Sequence, residues 1–286
     1  MMTVVVTGLA VGMVYAAIAL VYNVMFSTSK VLSMTTGHTA MLGGVFGAWF
    51  VQALGVPWGL ALLGAVLVGT AFGWATELLA IRRVLNRSDE HLWLLSTLAL
   101  ATMVQQGVGL WWGTEPKPFP RFIAQDFGAG VLDQKFWLPI AATLVMAAGL
   151  SLFYRRTMYG KLFVAMSEDA FAARARGVST DRIRMLSYML SGALGGLTGF
   201  AAGQLTFAYF ALGLTLTLYG FIALAVGGLG SNLGALVGGA TLGLLNAFAS
   251  YWFGGEYQQT VAVGILMIVL LVKPEGIFGS RNVRPV

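Results

Sequence analysis

The chain has 286 residues, of which 58% are hydrophobic and only 10% are charged, and its mean hydropathy is +0.80. Soluble domains carry about 25% charged residues, so this composition argues against a soluble protein and predicts an all-α, polytopic transmembrane helical bundle. The net charge is +6, but the basic residues cluster in loops, which favours membrane topology over nucleic-acid binding as their role. The absence of cysteine excludes disulfides, and two histidines without clustered carboxylates predict no metal site.

Nine apolar segments follow one another along the chain. They cover residues 3–26, 31–54, 58–81, 92–113, 137–153, 186–206, 214–230, 233–253 and 260–272. Two of them predict broken or re-entrant helices, because 31–54 contains the polar run SMTTGHT and 214–230 runs into the Gly-rich GGLGSNLG. We therefore predict about 8–10 spans in one domain over residues 1–286.

The charges in the loops predict the topology. Lys and Arg concentrate in 82–90, 154–184 and 273–286, whereas 114–136 balances basic against acidic residues. Short cytoplasmic loops are enriched in Lys and Arg, so the three basic loops are expected inside and 114–136 outside. Three crossings before residue 82 then place the N-terminus outside, and the C-terminus is expected in the cytoplasm.

Glycine is abundant, at 38 residues, and recurs at helical spacing in GALGGLTGFAAG (192–203) and GGLGSNLGALVGGATLG (227–243). Helices in lipid approach closely where small residues line one face. The pattern predicts a compact bundle and says little about the solute.

Residues 166–185, MSEDAFAARARGVSTDRIRM, form a polar stretch between apolar segments. Ser167 is a suitable N-cap, Glu168 and Asp169 suit the positive start of a helix, and Gly177 suits its end. The pattern predicts a short cytoplasmic helix over about 168–176. A helix this short is marginal alone in water, so it is either a solvated connector or a docking element for a cytoplasmic partner.

Five motifs resemble, in order, the permease subunits of branched-chain amino acid (Liv-type) ABC importers. They are GLAVGMVYAAIAL (8–20), LSTLALATMVQQ (95–106), YRRTMYGKLFVAMSEDAFAARARGVSTDRIR (154–184), AVGGLGSNLGALVGGATLGLL (225–245) and KPEGIFG (273–279). The last motif departs from the family in having Lys273 in place of arginine. The resemblance runs from end to end of the chain.

This resemblance implies a transport subunit without catalytic residues, placed in the cytoplasmic (inner) membrane of a bacterium or archaeon. The short helix of the coupling loop, 154–185, would enter a groove of the ATP-hydrolysing subunit. The coupling residues would be Glu168, Asp169, Phe171, Ala172, Ala173, Arg176 and Gly177. ATP and Mg would bind the partner ATPases, and indeed the chain lacks a G-x-x-x-x-G-K-[ST] motif of its own. The other partners would be a second, related permease, a periplasmic or extracellular solute-binding protein and the lipid bilayer, but no nucleic acid.

A solute pathway needs polar side chains in an apolar wall, where they are costly. The candidates lie in the first, second and fourth segments: Tyr15, Ser33, Thr35, Thr36, His38, Thr97 and Gln105. Thr97, Ala101 and Gln105 share one helix face because they recur every four residues. The alternatives are a buried His38 that is satisfied by a neighbour, and interhelical hydrogen bonds for Thr97 and Gln105.

Other functions and solutes remain open at this point. An ion-coupled secondary transporter or channel usually carries ionisable groups within the membrane, which are nearly absent here. Glu77 lies near the inner end of its segment beside Arg82 and Arg83, so it is expected to hold that loop. A membrane hydrolase using Ser33 and His38 is disfavoured because no G-x-S-x-G surrounds either residue. The resemblance implies branched-chain or related amino acids, with urea, amides or aromatic acids as alternatives.

Overall fold

The computed structural model describes residues 1–84, 92–121, 133–273 and 275–279. Parts of the charged loops used for the topology, at 85–90, 122–132 and 280–286, lie outside this set, as does position 274 in the last motif. The remaining charged positions are described below.

The described residues form helices, without a strand among them. They are α1 (Met2–Ser29), α2 (Thr36–Gln52), α3 (Trp58–Thr76) with a π-helical turn Glu77–Ile81, α4 (Leu92–Trp112), α5 (Gln134–Arg156), α6 (Met158–Glu168), α7 (Ala170–Ala175), α8 (Thr180–Thr206), α9 (Leu212–Gly227), α10 (Asn232–Phe253), a 3₁₀ turn Gly255–Tyr257 and α11 (Gln258–Val272). Every predicted apolar segment corresponds to one of these helices. Seven of them are long and apolar enough to cross a membrane, which confirms a polytopic helical bundle.

Two of the helices that match apolar segments, α2 and α9, have 17 and 16 residues and are not among these seven. They are the segments predicted to be irregular. The first begins only at Thr36, because the preceding serine and threonine side chains bond to nearby groups instead of supporting a helix. The second ends at Gly227, where Gly228 and Gly230 adopt the positive φ values of 102° and 85° that close a turn.

Glycine seams hold the long helices together. Gly8 and Gly12 of α1 face Gly239 and Gly243 of α10, and a Cβ atom added at any of these four positions would collide with the opposite helix. Gly69 and Gly73 of α3 meet Gly192 and Gly196 of α8 in the same way. The small-residue spacing therefore predicted real helix contacts. They bring α1 and α8 to the centre of the bundle, where the polar residues described next are buried.

The first residues and the last described residues lie at opposite ends of the bundle. Thr3 shares a cavity with Ser250 and Gln258, beside the end of α10 and the start of α11. Phe278 shares another cavity with Lys30, α6 and the turn between α9 and α10. The coupling loop and the C-terminal segment are therefore on the same side, as the charge distribution requires.

Candidate coupling and solute sites

The coupling loop contains two helices rather than the single one predicted. Ser167 lies inside α6, where its hydroxyl donates to the Val164 carbonyl, so it is not an N-cap. Asp169 caps α7 instead, because its Oδ1 accepts from the backbone N–H groups of Phe171 and Ala172, both at 2.9 Å. Gly177 follows the helix with φ 86°, as predicted. We did not predict α6, the helix before α7. Its polar residues obscured the helical spacing of Gly160, Phe163 and Met166, which are buried.

The predicted coupling residues fall into two groups. Phe171 is 83% exposed, and Ala172, Arg176 and Gly177 are also exposed. Ala173 is buried against the rest of the loop, so its side chain is not available to a partner, contrary to prediction. Glu168 ends the preceding helix, and Asp169 caps α7, so neither lies within it. The face that α7 offers to a partner therefore centres on Phe171.

Lys30 connects this loop to α1 and was missed at the sequence level. Its Nζ donates to the carbonyl of Ser167 at 2.6 Å, in the last turn of α6, where a cation is favourable. The residue has φ 56° at the end of α1, which turns its side chain towards α6. Partial burial lowers the pKa of Lys30. The polar run that leads into α2 begins directly after it.

Glu77 pairs with a residue other than those predicted. Its Oε1 accepts from Nη2 of Arg184 at 2.9 Å, and Arg184 also contacts Asp181 at 3.0 Å. Among the described residues, Arg82 and Arg83 make no ion pair with Glu77, so the expected tie to its own loop is replaced by a tie to α8. The pair joins the π-helical turn to the first turns of α8, at the end of the coupling loop. The ion pair compensates the charge of this buried carboxylate, as a buried charge requires.

The residues before α2 form a closed hydrogen-bonded group, which we call the His38 cluster. The hydroxyls of Ser33 and Thr35 are 2.7 Å apart, and Thr36 Oγ1 donates to the Ser33 carbonyl at 2.7 Å. His38 Nε2 donates to Gln105 Oε1 at 3.2 Å, and the Met34 N–H donates to Thr97 Oγ1 at 3.3 Å. Six of the seven predicted pathway residues thus meet in one place, between α2 and α4.

The burial of the His38 cluster favours a structural role. Ser33, Thr35, Thr36 and Thr97 are fully buried, and His38 is 1% exposed. The predicted face of α4 is confirmed, since Ala101 is also buried. Nearly every polar atom has a partner within the protein, apart from His38 Nδ1. In this conformation the cluster joins α2 to α4 and α9 through hydrogen bonds.

Thr217 in α9 completes the His38 cluster and was not predicted. Its Oγ1 accepts from the Gly37 N–H at 3.0 Å and donates to the Gly213 carbonyl at 2.8 Å, while its carbonyl accepts from the Tyr22 hydroxyl at 3.3 Å. The available signal was the two threonines, Thr215 and Thr217, in the largely apolar run LGLTLTLYG. Thr217 is buried and pins the start of α2 to α9 and α1.

Tyr15, the seventh candidate, lies in a different environment. Its ring stacks on that of Tyr219 with centroids 4.7 Å apart and planes 13° apart. Asn246 of α10 is near its hydroxyl, but neither the Nδ2 nor the Oδ1 atom of Asn246 makes a hydrogen bond among the described residues. Tyr15 and Asn246 both line a cavity of about 350 Å³ between α1 and α10. Sequence analysis missed Asn246, which sits in a Gly-rich segment interpreted only as packing.

Aromatic residues order the opposite end of the bundle from α7. Lys117 and Ala208 exchange backbone hydrogen bonds of 3.1 and 3.0 Å. The ammonium of Lys117 lies 4.1 Å from the Trp112 ring centroid, and Trp111 stacks on Phe46. Trp111 and Trp112 therefore anchor the loop at this end of the bundle.

The amino-acid sequence of this chain resembles those of known transport proteins. A family profile described as "Branched-chain amino acid transport system / permease component" matches residues 4–271. The chain belongs to this family. The permease is thus a multi-pass membrane protein, and its homologues are named as permease components of transport systems.

Individual relatives agree with the family. The permease is 29% identical to the high-affinity branched-chain amino acid transport system permease protein LivH of Escherichia coli, over 98% of this chain and 96% of LivH. It is also 26% identical to the permease protein LivM of Salmonella typhimurium, over 51% of this chain and 35% of LivM. Two kinds of permease named for the same transport system are therefore related to it.

A solved structure supports the fold. PsaBC from Streptococcus pneumoniae, in complex with Fab, superposes with a TM-score of 0.53. The match covers 96% of this permease and 92% of that chain at 13% sequence identity. At that identity the likeness concerns the arrangement of helices alone.

Proposed function

We propose that this permease forms the pathway of a binding-protein-dependent ABC importer for branched-chain or related amino acids. Family membership and the near full-length similarity to LivH support the transport role. The observation that carries the mechanism is α7, a capped helix that projects Phe171 at 83% exposure from one end of the bundle. An exposed aromatic on a short helix suits a groove in another protein better than contact with water.

The proposed partners are the subunits that hydrolyse ATP and the protein that delivers the solute. ATP and Mg would bind separate cytoplasmic ATPase subunits that receive α7, and the chain itself would bind no cofactor. A solute-binding protein would dock at the opposite end, near the Trp111–Trp112 loop. In this proposal the permease lies in the inner membrane, with the coupling loop and C-terminus facing the cytoplasm and the N-terminus facing outside.

A second, related permease is the expected partner within the membrane. Gln106 is exposed in the middle of α4, and an exposed amide is costly against lipid. A neighbouring permease would cover it and hydrogen-bond with it. The similarity of this chain to both LivH and LivM supports a pair of related rather than identical chains.

The test is purification of the tagged chain from its native cells, followed by mass spectrometry of the proteins that accompany it. We expect an ATPase with a Walker A motif and a second permease. Phe171→Ser should lose the ATPase and keep the second permease. Phe253→Ser, which removes an equally exposed aromatic at the other end of the bundle, should keep both. A chain that purifies alone, or an ATPase retained by Phe171→Ser, contradicts the proposal or its coupling helix respectively.

A further inference from the structure

The cavity between α1 and α10 is lined by a buried polar side chain without a hydrogen-bond partner among the described residues. Asn246 is 4% exposed, yet its amide has no hydrogen-bond partner among the described residues. A buried polar group without a partner costs about 1–3 kcal/mol. A polar ligand that enters the cavity would supply the missing partners.

The lining defines which ligand would fit. Tyr15 and Asn246 provide a hydroxyl and an amide, so the cavity offers donors and acceptors side by side. Val11 and Ala247 add an apolar wall, while Ser250 and Gln258 lie near the ends of α10 and α11. Among the described residues that line the cavity, none carries a formal charge. A solute with net charge would lose hydration here without a counter-charge.

The size and position also suit a small solute. Small-molecule sites usually have volumes of about 300–1,000 Å³, and this cavity, at about 350 Å³, is at the lower end. It reaches Thr3 and Gln258, at the end of the bundle where the binding protein is expected. Tyr15 lines the cavity, and its ring stacks on that of Tyr219.

We propose that this cavity is a transient binding site on the solute pathway for a small amino acid of zero net charge. The Asn246 amide and the Tyr15 hydroxyl bind its ammonium and carboxylate groups, and the apolar wall contacts its aliphatic side chain. This inference rests on the proposed importer function and adds the site and its charge selectivity. Glutamate and lysine are excluded because the lining has no residue to balance their extra charge.

The natural absence of cysteine makes a direct test possible. Asn246→Cys introduces the only thiol of this chain, and Phe253→Cys provides a control that is exposed at the same end of α10 but outside the cavity. Each variant is assembled with its partner subunits in liposomes and treated with a small methanethiosulfonate reagent. The modification of this chain is followed by mass spectrometry, with millimolar leucine, glutamate or lysine present or absent.

We expect leucine to slow the modification of the Asn246→Cys variant at least three-fold, glutamate and lysine to have little effect, and the control to be unaffected. Three results would overturn the site: no protection by leucine, equal protection by all three solutes, or a thiol that never reacts because lipid or a partner chain fills the cavity.

A second measurement does not depend on the introduced thiol. Asn246→Leu should lower leucine flux through the assembled importer several-fold while ATP hydrolysis persists, and Thr241→Val, on the same helix but outside the cavity, should not. Unchanged flux in Asn246→Leu overturns the site and leaves the proposed function standing. If the unmodified importer carries no amino acid, the proposed function fails, while the labelling still shows whether leucine enters the cavity.

Discussion

Two buried polar regions of this permease differ in how completely their hydrogen bonds are made. The His38 cluster joins α2, α4 and α9, and nearly all of its polar atoms bond to one another. Asn246 has a similar degree of burial and no such partner. A satisfied group contributes to stability, whereas an unsatisfied one lowers it and is expected where a ligand binds. The comparison therefore assigns stability to the first region and solute contact to the second.

Thr217 is the position where breaking the His38 cluster should have the largest effect. Thr217→Val keeps the volume but leaves the Gly37 N–H without its acceptor, which should lower the free energy of unfolding by about 1–3 kcal/mol. The measurement is thermal unfolding of the purified protein in detergent. Thr215→Val, at an exposed position of the same helix, is the control and should have little effect. Equal melting temperatures for the two variants would mean that the cluster does not hold α2 in place.

The pair His38–Gln105 should contribute less. A double-mutant cycle of His38→Ala and Gln105→Ala should give a coupling free energy of about 0.6–2 kcal/mol, the range of interhelical hydrogen bonds in membranes. Gln106→Ala replaces Gln105→Ala in the control cycle and should show no coupling, because Gln106 is exposed on another face of α4. Additive effects in the first cycle would show that the two side chains do not interact, and would reopen a pathway role for His38.

Composition and periodicity predicted most of the fold. The nine apolar segments matched helices, and the two polar interruptions marked the short ones, because unpaired backbone in a membrane has few alternatives to a helix. The glycine spacing likewise predicted which faces meet. The partner of Glu77 was not predictable, since Arg184 lies 107 residues away and closer arginines were available.

The sequence predicted which polar residues belong to the candidate site but not the role of each residue. Polar side chains in apolar segments identified Ser33, His38 and Gln105, yet a sequence cannot show whether such groups satisfy one another or await a ligand. That distinction depends on three-dimensional contacts. These contacts place Tyr15 beside a cavity and apart from the other six candidates. Lys30 was missed because its partner is distant in sequence, and Asn246 because the sequence does not show which buried polar groups lack a partner.

Lys30 offers a way to relate the cluster to the coupling loop. Its bond to Ser167 links the last turn of α6 to the residues that lead into α2. Lys30→Gln should therefore leave the fold intact and lower the amount of solute moved per ATP hydrolysed, by a few-fold, in the reconstituted importer. Lys30→Arg retains a cationic donor and should restore most of the solute transport per ATP hydrolysed. Lys273→Gln is the matched control, since Lys273 also donates to a backbone carbonyl but within the C-terminal segment. A proportional loss of transport and hydrolysis in Lys30→Gln would instead indicate simple loss of assembly.

Asn246 should show the smallest effect on stability, and the opposite sign. Replacing the amide by the apolar side chain in Asn246→Leu removes an unsatisfied group, so the melting temperature should stay the same or rise, in contrast to Thr217→Val. The same unfolding assay compares the two variants directly, with Thr241→Val as a neutral control on α10. A marked loss of stability in Asn246→Leu would show that the amide is bonded within the protein, and the two polar regions would then be alike. Unchanged stability together with reduced leucine flux would confirm that this permease keeps one buried polar region for its fold and another for its solute.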